Sequence, residues 1–258
     1  MSHPIINTHG ICNLSVVPVR IGPTDEAEIV TQLLFGDYVT VLEKGNPWIK
    51  IRNHADSYVG WMDFKQLSYL TEIEFNKGIN EKTPYIVNQP TIEIVSSQGE
   101  QTLFLGSVLP FLNNDIFNIT TTRYEVISEL NTPHLAPTEY AQLFLNTPYL
   151  WGGKSIHGID CSGLVQNAFK HYSFSLPRDA SQQVHIGELV QWEGRKTGDV
   201  VFFKSKNGNV THVGILTTKN TIIHAHGKVR IDKIDDKGIW NSDLNYYSHL
   251  TFCIKRFL

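Results

Sequence analysis

Gly158-Ile159-Asp160-Cys161-Ser162-Gly163-Leu164 joins a glycine-bearing loop to a segment with helical periodicity. From Cys161 to His171, Leu164, Val165, Ala168 and Phe169 recur on one helical face. A helix is therefore expected to begin at or near Cys161. Unpaired backbone N–H groups at a helix N-terminus favour negative charge, lower a thiol pKa and can stabilise an oxyanion. That makes Cys161 a candidate nucleophile. Taken alone, it is as readily a small buried core residue, as most free cysteines are. Its neighbours Asp160 and Ser162 either face a substrate or cap the helix.

C-terminal to this helix, Gly198 to Phe203, Val213 to Thr217, Thr221 to His224 and Thr251 to Phe257 read as strands. A helical segment followed by a run of strands indicates an α+β domain. Thr211-His212-Val213-Gly214-Ile215 and Thr221-Ile222-Ile223-His224-Ala225 each carry a histidine in or beside an apolar strand. A short turn around Lys219-Asn220 would bring His212 and His224 side by side on antiparallel strands. A nucleophilic cysteine needs a base, and the base needs an orienting group. Each histidine by itself reads more readily as a satisfied core or surface residue than as a catalytic one. His226, with His224, His212 and Cys161, also suggests zinc. No CxxC or HxxxH spacing supports that reading, and neither a metal nor another cofactor is expected.

Toward the N-terminus, Val16 to Arg20, Tyr38 to Leu42, Trp48 to Arg52 and Tyr58 to Met62 are short strands separated by turn signals such as Lys44-Gly45-Asn46-Pro47. Pro18 suits an edge strand. This even spacing suggests a small β-barrel over residues 1–70, and the order FGDYVTVLE, WIKIR, SYVGWM resembles a bacterial SH3-like (SH3b) domain. Thr91 to Val95, Thr102 to Leu105 and Tyr124 to Ile127 form a weaker β set over 71–130, read as a diverged second barrel. Asn131 to Pro137 reads as a linker into a third domain, 131–258, whose first helix would have Thr138 as N-cap and run from Tyr140 to Phe144.

Composition sets limits on function. The chain has 258 residues, 41% apolar and 18% charged, with a formal net charge of −3. No basic field for nucleic acid is present. Three cysteines, Cys12, Cys161 and Cys253, are too few and too scattered for a disulfide framework. Cys253, in Phe252-Cys253-Ile254, is expected to be buried and inert. No basic n-region or apolar h-region follows Met1-Ser2-His3-Pro4, and no stretch approaches the ~18 apolar residues of a membrane span. A cytoplasmic protein is expected, or a secreted one if a leader is absent from this sequence.

PYLWGG (Pro148 to Gly153), GIDCSGLV (Gly158 to Val165), LPRDASQQ (Leu176 to Gln183), GDVVFF (Gly198 to Phe203), THVGI (Thr211 to Ile215) and IIHAHGKVRID (Ile222 to Asp232) occur in the order found in NlpC/P60 domains. With its SH3b-like front end, the chain resembles the branch that includes γ-D-glutamyl-L-diamino acid endopeptidases of murein-peptide recycling. The resemblance implies a papain-like thiol hydrolase preceded by two SH3-like barrels. Cys161, His212 and His224 would be its catalytic trio, and Tyr149 would face the oxyanion or substrate. Arg178 and Asp179 would pair with each other or hold charged ends of a peptide. By similarity, Glu28 and Asp179 would receive the free α-amine of L-Ala, with Tyr58 packing nearby, because an ammonium enclosed without a partner loses its hydration uncompensated. The expected partner is a murein peptide, L-Ala-γ-D-Glu-diamino acid, not nucleic acid or membrane. His226 and Ala180 depart from the family pattern, where smaller residues and serine respectively are common. Two alternatives stay open: a non-catalytic wall-binding module, and a thiol acyltransferase or amidase acting on another γ-glutamyl compound.

Overall fold

The computed structural model describes residues 8–131, 135–172 and 174–258. Met1 to Pro4 and part of the expected linker, residues 132–134, lie outside the described residues. The chain forms two compact units, Met1–Thr132 and Pro133–Leu258.

In the first unit, β1 (His9–Ile11), β2 (Val16–Arg20), β3 (Ile29–Leu34), β4 (Tyr38–Lys44), β5 (Trp48–Asn53), β6 (Val59–Asp63) and β7 (Ser68–Leu70) form an antiparallel sheet in the order β3-β2-β6-β5-β4-β1-β7. Alternate residues point inward, as a pleated strand with one buried face requires. Val17 and Val19, Val39 and Val41, and Ile49 and Ile51 meet Leu33 and Met62 in one core.

The next element is a helix, α1 (Glu72–Ile79), in a stretch where the sequence suggests only strands. Thr71 supplies the cause. Its hydroxyl accepts the Glu74 N–H at 3.2 Å, and the Glu74 carboxylate accepts the Thr71 N–H at 2.8 Å, a reciprocal capping box. Beyond it lie β8 (Tyr85–Ile86), β9 (Thr91–Ser96), β10 (Gly99–Phe104), β11 (Val108–Leu109), β12 (Ile116–Ile119) and β13 (Thr122–Val126). They form a sheet of order β10-β9-β13-β12 and the pair β8–β11. Ile92, Ile94, Leu103, Phe117 and Tyr124 share their core with Phe75 of α1 and with Ile11, Phe35 and Leu70. Residues 71–130 are thus packed into one unit with the first strands.

The second unit opens with α2 (Pro137–Gln142). Ala136, rather than Thr138, is its N-cap, since Pro137 suits the first turn and the Glu139 carboxylate takes the Ala136 N–H at 2.8 Å. A short hairpin, β14 (Lys154–Ser155) and β15 (Gly158–Ile159), delivers the chain into α3 (Cys161–Lys170), and α4 (Ala180–Gln183) follows. Then come β16 (Glu188–Val190), β17 (Val200–Lys204), β18 (Val210–Thr218), β19 (Thr221–His226), β20 (Lys228–Ile234), β21 (Gly238–Asn241) and β22 (Tyr246–Arg256). The sheet order is β16-β22-β17-β18-β19-β20-β21, and β21 also pairs with β22, which closes six strands into a barrel. Val201, Phe203, Leu216, Ile222, Ile234, Ile239 and Ile254 make up one core of this barrel. The buried face of α3, with Leu164, Val165, Ala168 and Phe169, packs on β18 and β19.

Candidate active site

Cys161 is the first residue of α3 and is 6% exposed. Its position is held from behind by Asp160, the N-cap, whose Oδ1 accepts the Gly163 N–H at 2.7 Å and whose Oδ2 accepts the Gly152 N–H at 2.9 Å. Arg178, only 1% exposed, grips the same carboxylate with both arms, Nη1–Oδ1 at 2.9 Å and Nη2–Oδ2 at 2.6 Å. Nη1 also donates to Ser162 Oγ at 2.9 Å. Asp160, Ser162 and Arg178 therefore face one another beneath the loop, and the capping role of Asp160 is the one seen. Gly163 allows the helix to start so close to this loop, because a Cβ there would sit 2.5 Å from the Gly153 carbonyl oxygen.

The ladder between β18 and β19 ends at the pair Gly214↔His224. One residue beyond it, Val213 lies near enough to Cys161 that its backbone N–H, like that of Ser162, favours the thiolate. The strand carrying His212 packs against the helix that carries Cys161. His212, 5% exposed, places Nε2 2.8 Å from Nδ1 of the buried His224. The other nitrogen of His224, Nε2, lies 2.9 Å from Asp232 Oδ2. Arg230 donates from Nη2 to Asp232 Oδ1 at 2.8 Å, places Nε 2.7 Å from Oδ2, and reaches Asp243 at 2.9 Å. The expected pairing of His212 with His224 across a short turn is present. Asp232 was visible in the sequence only as the end of a motif. It is a diagonal neighbour of His224, since His224 faces Arg230 in the β19–β20 register.

His249, on β22, is the other residue that sequence reasoning missed. Its ring stacks on that of His212, with centroids 4.0 Å apart and planes at 23°. His226 lies edge-on to His249 at 4.8 Å. Barrel closure alone brings β22 here. Among the described residues, ligating nitrogens of His212, His224 and His249 fall within 4.8 Å of one another. Stacked rings keep their in-plane lone pairs side by side rather than aimed at one point, and His212 and His224 are at hydrogen-bond distance. His212, His224 and Asp232 form a hydrogen-bonded line.

Burial, then the Asp160 charge, pushes the Cys161 thiol up to about 12, against the N–H groups of Val213 and Ser162 and the charge of Arg178. The expected lowering by the helix N-terminus is thus outweighed in this closed site. Burial, reinforced by the neighbouring imidazoles, drives His212 well below its ordinary range. Burial likewise lowers His224, against the pull of Asp232, and brings His249 down to about 3. For Asp232, burial works against the charge, but hydrogen bonds from His224 and Arg230 prevail and hold its carboxyl below the usual range. Both shifts favour the uncharged forms, a thiol at Cys161 and a neutral imidazole at His212.

Tyr149 is half-buried, close enough to Cys161 and Asp160 that burial and their charges raise its phenol. Asp179 is the half-buried N-cap residue of α4, and Ala180 is the first residue of that helix. Glu28 and Tyr58 belong to the first unit. Glu28 is exposed just before β3, and its carbonyl accepts the Ile21 N–H at 3.0 Å. Tyr58 is half-buried just before β6, where its N–H donates to Asp56 at 3.0 Å. Cys253 is partly exposed rather than buried, because it sits on β22 between the exposed Phe252 and the buried Ile254. A cavity of about 550 Å³ in the first unit, lined by Tyr38, Lys77 and Phe111 among others, contains none of the candidate residues.

Residues 146–247 match the NlpC/P60 family, and residues 19–67 match the bacterial dipeptidyl-peptidase SH3 domain. The chain is 30% identical over 228 residues to a γ-D-glutamyl-L-lysine dipeptidyl-peptidase of Bacillus subtilis (strain 168), covering 80% of this chain and 75% of the relative. A protein of the same name from Bacillus cereus (strain ATCC 10987) is 29% identical, with 78% and 68% covered. In fold, the chain superimposes on the crystal structure of an NlpC/P60 family protein from Bacillus cereus with a TM-score of 0.80 at 22% identity, covering 97% of this chain and 99% of that one. An NlpC/P60 endopeptidase from Photobacterium damselae subsp. piscicida gives 0.72 at 16% identity, covering 100% and 74%. With a buried cysteine at a helix N-terminus, two hydrogen-bonded histidines beside it and relatives that run through both units, this chain belongs to the NlpC/P60 family of cysteine peptidases and carries a bacterial SH3 domain ahead of its catalytic domain.

Proposed function

We propose that this peptidase hydrolyses the amide bond between γ-D-glutamate and an L-diamino acid in murein stem peptides with a free N-terminal L-Ala, in cell-wall peptide recycling. The observation that carries the mechanism is the 2.8 Å hydrogen bond between His212 and His224 beside the buried Cys161. Cys161 attacks the scissile carbonyl while its proton passes to His212, which His224 holds in orientation. Backbone N–H groups at the start of α3, with Tyr149, receive the oxyanion. His212 then returns the proton to the leaving amine, and water releases the acyl group.

The substrate class is supported by the relatives, whose names specify γ-D-glutamyl-L-lysine. In this reading Asp179 receives the α-amine of L-Ala, and 71–130 is a diverged second SH3-like barrel between domains 1–70 and 131–258. A cytoplasmic enzyme would meet free peptides of this kind rather than cross-linked wall. Incubation with L-Ala-γ-D-Glu-diaminopimelate, followed by mass spectrometry, tests it. L-Ala-γ-D-Glu and free diaminopimelate are the expected products. An intact peptide, or a transfer product in place of hydrolysis, would overturn the reading.

A further inference from the structure

Building on that mechanism, we propose that Asp232 is a positioning residue that fixes the tautomers of His224 and His212 and balances the positive charge created when Cys161 loses its proton. Asp232 contacts Arg230 through both oxygens, at 2.8 and 2.7 Å. A carboxylate so held is ionised and can only accept. At 2.9 Å, His224 Nε2 must therefore carry a hydrogen and donate it to Asp232. A neutral imidazole has one N–H, so Nδ1 of His224 offers a lone pair. His212 Nε2, 2.8 Å away, must then donate. Being neutral as well, His212 is left with its lone pair on Nδ1, the nitrogen that faces away from His224. That nitrogen is the base.

The same line accounts for the charge. When the S–H bond of Cys161 breaks, an N–H bond forms at His212 Nδ1 and the sulfur keeps the electron pair for attack. His212 is then an imidazolium in a buried site. Its Nε2 proton can pass to His224 Nδ1, which leaves His212 neutral and puts the cation against Asp232. The other charged or titratable groups facing this line are Arg230, itself tied to Asp243, and the rings of His226 and His249. Asp232 is the anion in contact with His224, so an uncompensated buried imidazolium is the alternative.

Two readouts test the proposal, and neither requires the peptide substrate. In the full-length wild type, ¹⁵N shifts of labelled histidines should report the Nε2–H tautomer for both His212 and His224 near neutral pH. An Nδ1–H tautomer at either would overturn it. The second is a double-mutant cycle on the rate of iodoacetamide labelling at Cys161, measured between pH 6 and 9. Labelling of the partly exposed Cys253 in the same chain serves as the internal control for reagent and folding. Asp232→Asn should slow Cys161 labelling by about 10- to 100-fold, the worth of a hydrogen bond to a charged group. Asp232→Glu, which keeps the charge, should recover most of the rate. In the His224→Gln background, where no proton can be relayed, Asp232→Asn should cost less than about twofold, because the coupling runs through His224. A wild-type rate in Asp232→Asn, or the same loss in both backgrounds, contradicts the proposal. If the cycle behaves as stated and no γ-glutamyl peptide is cut, the substrate assignment has failed and the relay stands.

Discussion

Gly214 lies directly across the β-ladder from His224, and a Cβ at position 214 would sit 2.9 Å from the His224 Cβ and 2.8 Å from the Ile223 carbonyl oxygen. The glycine is what lets the His224 ring occupy its place between His212 and Asp232. Gly214→Ala should overpack this point, at about 1–3 kcal/mol of stability. It should also displace His224, lowering kcat by up to about 100-fold while KM changes little. Steady-state kinetics beside a thermal melt check this. A variant with wild-type kcat would mean that the His224 position is not set here.

The Arg178–Asp160 pair holds the N-terminus of α3 and is almost wholly enclosed. Arg178→Met would leave the Asp160 carboxylate with two backbone N–H groups and Ser162 but no counter-charge. Removing one partner of such a pair costs about 3–5 kcal/mol. Urea denaturation should show a loss of that size in the catalytic unit, with Cys161 labelling disturbed as well. A loss below about 1 kcal/mol would show that the pair does not organise the site.

Acid should destabilise the catalytic unit. His212, His224 and His249 all have folded pKa values below their ordinary 6.5, through burial first. Below pH 6.5 the unfolded chain therefore binds more protons than the folded one, so the stability is full above that value and declines as pH falls. For His249 the decline continues to about 3. Asp232, lowered from 3.8, adds loss of the same sign at the acid end. Each histidine contributes at most about 1.4 kcal/mol per pH unit. Urea midpoints between pH 8 and 4.5 should fall, and His249→Phe should make the fall shallower. Midpoints that stay level or rise toward pH 5 would contradict the buried, neutral cluster.

The proposed recognition of the α-amine predicts a sharp substrate preference. N-acetylation of L-Ala-γ-D-Glu-diaminopimelate should abolish cleavage. Asp179→Asn should reduce kcat/KM for the free-amine peptide by about one to two orders of magnitude, as loss of a charged hydrogen bond of about 1.5–3 kcal/mol implies. Equal cleavage of the acetylated peptide would remove Asp179 from substrate recognition.

Much of this site is legible in the chain itself. The periodicity after Cys161 gives α3, and the apolar runs around His212 and His224 give two strands that a short turn must pair. What is not legible depends on register and closure. Asp232 reaches His224 only because Arg230 lies opposite it, and His249 arrives only because β22 pairs with both β17 and β21. The capping box of Thr71 and Glu74 was a readable signal for α1, hidden by the β-rich sequence around it. The direction of the Cys161 shift was not readable, since a sequence reveals a helix terminus but not how tightly it is enclosed.

The most direct test of the central claim is hydrolysis of L-Ala-γ-D-Glu-diaminopimelate by wild type, Cys161→Ala and His212→Ala, with iodoacetamide-treated wild type alongside. The account predicts cleavage by wild type alone. Cys161→Ala and the treated protein should be inactive, and His212→Ala should be close to inactive, in EDTA as without it. Cleavage by Cys161→Ala at the wild-type rate, or activity that disappears with EDTA, would contradict a thiol mechanism at this site.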